Sequence, residues 1–288
     1  MNETNNDKGA VLLTGASRGL GRNMAKHLSA RGFHVFAGCR KPADASGLVD
    51  ETPQRLTPLL LDVTDEASVA AAVETVSRAV GEAGLTGLIN NAGTAVFGPV
   101  EQVPLDTVEE QLRVNILGPI AVTQKFLPLL RLGRGRLVNI SSVNGFLSIP
   151  YAGIYSASKF ALEALSDALR VELKPWGISV SVVQPGIYET DIRARSVESW
   201  AVRRDALSEE ERMLYESGFE QTRRLYASID QRAADPQEVS EVVVEALTAE
   251  SPKTRYLVGE AAQEVAGLLS LSDEARDEAF LQMYDQAS

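Results

Sequence analysis

A regular alternation of short apolar runs with longer helix-period stretches constrains this 288-residue sequence more than any other feature. Residues 10–13, 33–37, 59–61, 87–89, 137–140 and 178–183 are each rich in Val, Ile and Leu on both parities. A strand that is apolar on both sides belongs in a sheet covered on both faces. The intervening stretches repeat differently. After Thr64, Val69, Ala72, Val73, Val76 and Val80 recur at helical spacing, and Gly81 and Gly84 end the run. This βαβ alternation predicts an α/β fold, a doubly wound parallel sheet with helices on both faces.

The last third reads differently. Residues 193–230 are charged and helix-prone, with Trp200, Tyr215, Phe219 and Tyr226 among Arg and Glu. Asp235-Pro236-Gln237-Glu238 has the form of a helix start: a capping Asp, a first-turn Pro, and Glu three residues after the cap. Residues 254–258 read as a last strand. With no internal repeat or linker, the expectation is one domain over residues 10–288, with 191–230 inserted as a substrate lid and a disordered N-terminus over 1–9.

Composition removes several classes of function. The net charge of -11 leaves no basic face for nucleic acid. Cys39 is the single cysteine, and His27 and His34 stand in no ligand spacing, so no metal site is expected. No segment approaches ~18 uninterrupted apolar residues, so no membrane span is expected. The polar N-terminus lacks a secretory apolar core, and cytoplasmic residence is the default expectation.

The first apolar run leads directly into Thr14-Gly15-Ala16-Ser17-Arg18-Gly19-Leu20-Gly21 and then a helical pattern. Glycines let a phosphate approach the backbone closely at a helix N-terminus, where free N–H groups point outward. With the glycines spaced Thr-Gly-x-x-x-Gly-x-Gly, the chain resembles the short-chain dehydrogenase/reductase family. Further motifs of that family follow in order over roughly residues 10–190. Asp62, with Val63 beside it, resembles the residue that hydrogen-bonds adenine. Asn90-Asn91-Ala92-Gly93 matches the stretch beneath the cofactor. Asn115, Ser142, Tyr155 and Lys159 stand in the order of the catalytic tetrad. Pro185-Gly186, with Thr190 four residues on, resembles the loop that holds the nicotinamide carboxamide. The resemblance implies a Rossmann-type fold, a nicotinamide cofactor gripped by Thr14–Gly21, and a homodimer or homotetramer formed through the outer face of the 155–174 helix.

Charge separates the two nicotinamide cofactors. NAD enzymes place an acidic residue at the end of the second strand, and NADP enzymes use arginine there for the 2′-phosphate. Here that position is Cys39, followed by Arg40, and Arg18 sits inside the glycine turn. Two guanidiniums can clamp a phosphate, which favours NADP (NADPH).

Tyr155 and Lys159 are four residues apart and share one helix face. A phenol titrates near ~10, and a neighbouring ammonium is expected to lower it by ~1–3 units, into the working range of an acid/base. By the resemblance, Ser142 rather than its neighbour Ser141 hydrogen-bonds the substrate oxygen, and Asn115 anchors a water in a relay to Lys159, which also holds the nicotinamide ribose. Phe97, Val143, Phe146, Tyr151, Tyr188 and residues 193–226 are candidates to line an apolar pocket for a steroid-, retinoid- or polyketide-like alcohol or ketone. Residues 33–40 and 254–256 also resemble segments of the branch holding retinol, hydroxysteroid and 3-hydroxybutyrate dehydrogenases. Two other readings are an NADP-sensing scaffold without turnover, whose signature would be a lost Tyr or Lys, and an epimerase or dehydratase, which needs a larger C-terminal domain.

Overall fold

A computed structural model describes residues 7–51, 55–190 and 192–286. The expectations for residues 1–6 and for Asp191 fall outside the described residues. From β1 (Ala10–Leu13) the chain runs into α1 (Gly19–Ala30), β2 (His34–Cys39), α2 (Pro42–Glu51) and β3 (Leu56–Leu60). It continues through α3 (Glu66–Val80), β4 (Gly87–Asn90), α4 (Leu105–Leu112), α5 (Gly118–Gly133), β5 (Arg136–Ile140), α6 (Gly153–Glu172) and β6 (Ser179–Pro185). Helices α7 (Ile192–Asp205), α8 (Glu209–Leu214), α9 (Glu216–Asp230) and α10 (Gln237–Thr248) precede β7 (Arg255–Val258), and α11 (Glu260–Gly267) and α12 (Asp273–Gln286) close the chain.

The strands form one sheet, parallel throughout the described residues, in the order β3-β2-β1-β4-β5-β6-β7. Alternate side chains feed two cores. Val11 and Leu13 pack with Met24 and Leu28 of α1 and with Val239 and Val243 of α10. Leu12 points the other way, into Val69 and Val76 of α3 and Phe126 and Leu130 of α5. This is the Rossmann-type doubly wound architecture. The chain winds outward in opposite directions from β1 and β4, so their carboxyl ends part and leave a crevice.

Local chemistry sets the boundaries. Asp65 caps α3 by accepting from Ala67 N at 3.0 Å, and Gly81 closes that helix at φ +53°. Asp235 accepts from Gln237 N at 2.9 Å at the head of α10. Glu238, expected to complete that cap, instead accepts the Tyr188 hydroxyl at 2.9 Å. The third strand begins earlier than expected, at Leu56, with Pro58 inside it. A proline lacks the ladder donor, but β3 is the sheet edge, where that loss is tolerated. Asn115 does not sit in a regular helix: α4 ends at Leu112, and a π-type turn over Arg113–Leu117 leads into α5. Among the described residues, no helix is long and apolar enough to cross a membrane, and no cluster of His, Cys, Asp and Glu is placed to hold a metal ion.

Candidate active site

A cleft of about 440 Å³ opens along the carboxyl edge of the sheet at the switch between β1 and β4. Its floor at one end is the glycine turn. Gly15 has φ +69°, and a Cβ on Gly21 would lie 2.0 Å from the Gly15 carbonyl oxygen, so the turn admits no side chain there. Ser17, Arg18, Gly19 and Leu20 line the cleft where α1 begins, at a helix N-terminus whose dipole favours an anion. Arg40 enters from the end of β2, Asp62 and Val63 from the end of β3, and Asn91, Ala92 and Gly93 from the end of β4. Thr190 comes from beyond β6, its Cγ2 3.4 Å from where a Gly19 Cβ would be.

Three expected cofactor residues, Thr14, Pro185 and Gly186, stand behind that wall. Thr14 is 2% exposed, and its Oγ1 accepts from Asn91 N and Ala92 N, both at 3.0 Å. The Asn91 side chain returns the contact, donating to the carbonyls of Thr14 and Gly15 at 3.0 Å each. The first and fourth strand ends are thereby tied together. Pro185 ends β6, and Gly186 donates to Val258 O at 3.0 Å, close against Ala262.

Tyr155 and Lys159 face the other end of the cleft from the first turns of α6. Lys159 is buried and donates from Nζ to Ile140 O at 2.9 Å, at the end of β5. Its Nζ is 5.8 Å from the centre of the Tyr155 ring. Gly93 leaves room for both Lys159 Nζ and Asn115 Oδ1, at 3.8 and 3.5 Å from where its Cβ would stand. Asn115 lies at the centre of the π-type turn and does not reach the cleft wall. It accepts from Thr94 N and donates to Thr94 O and Ser158 Oγ, each at 2.9 Å. Ser142 is buried just behind the wall, where its Oγ accepts from Asn144 N at 3.2 Å.

The expected acidity of Tyr155 is corrected. Burial raises its phenol above the ordinary value, while a hydrogen bond with Ser142 and the field of Arg193 pull weakly the other way. The ammonium expected to lower it is weakened by the same burial, which brings Lys159 down to about 8.

Tyr155 also borders an aromatic cluster. Phe97 packs on Tyr226 with ring centres 5.0 Å apart, and Trp200 lies 5.4 Å from Tyr151 and 5.0 Å from Phe219. Helix α7 is tied over the loop after β4 by Ser196 Oγ, which donates to Ala95 O at 2.8 Å. Tyr188 is excluded from this chamber: it is 2% exposed in the core beneath α10. Sequence reasoning missed Gln111 and Thr94 on the cleft wall. A signal existed for Gln111, which precedes Asn115 by one helical turn.

Comparison with known proteins agrees with this geometry. The sequence profile of the family described as short chain dehydrogenase matches residues 9–200. The chain is 40% identical over 259 residues to retinol dehydrogenase 5 of Mus musculus, covering 86% of this chain and 80% of that protein. It is 39% identical over 263 residues to the mitochondrial D-beta-hydroxybutyrate dehydrogenase of Rattus norvegicus, covering 86% and 76%. A short chain dehydrogenase from Burkholderia cenocepacia J2315, solved in complex with NADP, superimposes with a TM-score of 0.72 at 26% identity over 96% of this chain and 98% of that one.

Thr14→Val keeps the side-chain volume but leaves the N–H groups of Asn91 and Ala92 without their acceptor. The expected loss of stability is about 1–3 kcal/mol, read as a lowered urea midpoint at unchanged m-value. An unmoved midpoint would show that the tie between the strand ends carries no weight.

Proposed function

The chain belongs to the short-chain dehydrogenase family, and from that premise we propose that it is an NADP(H)-dependent oxidoreductase for an apolar secondary alcohol or its ketone. As a member it is an oxidoreductase that acts on alcohol and carbonyl substrates with a nicotinamide cofactor. The observation that carries the finer reading is that Tyr155 and Lys159 share one cleft with the glycine turn and both arginines, Arg18 and Arg40. The residues fit such a group. At Gly15 and Gly21 the cradle has no room for a side chain, and a helix N-terminus and two guanidiniums suit a phosphate-rich ligand.

Arg18 and Arg40 would hold the 2′-phosphate, Asp62 and Val63 the adenine, and Asn91 to Gly93 the floor beneath the ribose. Bound there, NADPH would supply the hydride. The protein handles the proton. Tyr155 donates it to the carbonyl oxygen in reduction and takes it back in oxidation. Ser142 hydrogen-bonds the same oxygen as charge develops on it. Lys159 holds a positive charge beside the phenol, and Asn115 fixes the turn from which protons are relayed to it. The raised pKa of Tyr155 suits a proton donor, because a buried phenol stays protonated until a developing alkoxide takes its proton.

The apolar substrate class is supported by the chamber beside Tyr155, built of Phe97, Tyr151, Trp200, Phe219 and Tyr226. Within the expected 191–230 segment, helices α7 to α9 serve as its lid. Residence in the cytoplasm is supported by the lone thiol of Cys39, which is buried, unpaired and pushed up to about 11 by burial. Phe160 and Val171, 43% and 68% exposed on one outer stripe of α6, favour pairing with a second copy as a homodimer or homotetramer. Light scattering should return a multiple of 31.0 kDa, and a monomer at micromolar concentration would reject that pairing.

Tyr155→Phe should abolish turnover, since only the proton donor is removed, while NADPH continues to raise the melting temperature, and by more than NADH at equal concentration. Residual turnover within tenfold of wild type would move the acid elsewhere. Equal shifts from the two dinucleotides would remove the assignment of Arg18 and Arg40.

A further inference from the structure

Glu163 lies one helical turn beyond Lys159 on the same face of α6 and is only 7% exposed. A buried carboxylate is costly unless its oxygens are bonded. Both are. Oε1 accepts from Gln184 Nε2 of β6 at 2.9 Å, and Oε2 from Arg255 Nε of β7 at 2.9 Å. Arg255 divides its guanidinium, donating also to Asp167 Oδ1 at 2.8 Å, and Asp167 in turn pairs with Arg170 at the surface. On its remaining side Glu163 meets the loop that carries Ser142. A Cβ on Gly145 would lie 3.0 Å from Glu163 Cγ and 3.1 Å from Oε1, so only glycine lets the loop come this close.

Lys159 is approached from several elements. Tyr155 shares its helix, Ile140 offers a carbonyl from β5, and Gly93 and Asn115 approach from the loop after β4 and the π-type turn. Glu163 supplies the opposing charge that works against the desolvation of the ammonium. Its own strength is set by Arg255, which neutralises part of it from the far side.

We propose that Glu163 is a positioning residue for the reaction: held by Arg255 and Gln184, its carboxylate keeps Lys159 charged and braces the Ser142 loop from beneath. This rests on the role given to Lys159 above. The couple runs from the surface pair Asp167–Arg170 through Arg255 and Glu163 to the ammonium. Removing either inner member changes the charge felt at Lys159, and the two removals act with opposite sign. Without Glu163 the ammonium loses its counter-charge and gives up its proton at lower pH. Without Arg255 the carboxylate acts on Lys159 undivided, and the proton is kept to higher pH.

The test is the pH dependence of kcat for reduction of an activated aryl ketone, trifluoroacetophenone, at saturating NADPH. In the wild type the rate should fall as pH rises through the loss of the Lys159 proton. In Glu163→Gln that alkaline limb should move down by about 1 unit, and in Arg255→Gln it should move up. A structural role alone would lower the rate without moving the limb in opposite directions. Limbs that stay in place, or that move the same way in both variants, overturn the proposal. If Glu163→Gln fails to fold, Arg255→Gln decides alone: an upward shift upholds the proposal and its absence overturns it. Lys159→Met separates this from the parent reading. Retained turnover there removes the role of Lys159 itself, whereas lost turnover with unmoved limbs removes only that of Glu163.

Discussion

An ammonium taken out of water must be repaid in dipoles and counter-charge, and Lys159 is the group around which this site is arranged. It is 6% exposed, in a half of the molecule built from close-packed helices and strands. Its partners come from distant parts of the chain: the Ile140 carbonyl at the end of β5, the open space over Gly93 after β4, and Glu163 one turn along α6. Only a parallel sheet brings those strand ends to one edge. The same edge receives the glycine turn after β1, so the ammonium and the cradle at the head of α1 face one cleft.

Beneath the cleft, polar side chains link the elements that carry it. Asn90 donates to Thr123 of α5 and Asn139 of β5, both at 3.0 Å, and Asn139 donates to Ser166 of α6 at 2.8 Å. This chain of buried hydrogen bonds sets the height of α6 over the sheet, and with it the height of Tyr155 and Lys159. The side formed by α7 and α9 is built differently, from rings. Tyr151 sits at φ +60°, a conformation unfavourable for a side chain of its size. Its hydroxyl occupies the space where a Cβ on Gly218 would be, 2.2 Å away, which presses α9 against the segment leading into α6.

Much of this was legible in the sequence because it rests on short-range pattern. Apolar runs of both parities marked the strands, and Thr14–Gly21 marked the turn after the first. Four-residue spacing put Tyr155 and Lys159 on one face. What stayed hidden depends on partners far along the chain. Pro58 masked the start of β3 because its tolerance comes from an edge position that only the strand order reveals. The π-type turn around Asn115 is held by Thr94 and Ser158, 21 and 43 residues away. Thr14 and Tyr188 have cofactor-side or pocket-side positions in sequence, yet their hydroxyls are engaged inside the protein by Asn91 and Ala92 and by Glu238. The acidity of Tyr155 was misjudged because the neighbouring charge was counted and the burial of both groups was not. Helix α12 carries weak periodicity and owes its place to contacts such as Tyr284 Oη to Pro150 O at 3.0 Å.

The central claim is that the cleft passes hydride from a nicotinamide to a carbon held before Tyr155. The direct measurement uses NADPH carrying deuterium at both C4 positions of the nicotinamide, with a panel of apolar aryl, steroid and retinoid carbonyls, and mass spectrometry of the alcohols formed. The account predicts one deuterium on the carbinol carbon of at least one product. Alcohol formed without label, or no alcohol from any carbonyl while NADPH demonstrably binds, would contradict it.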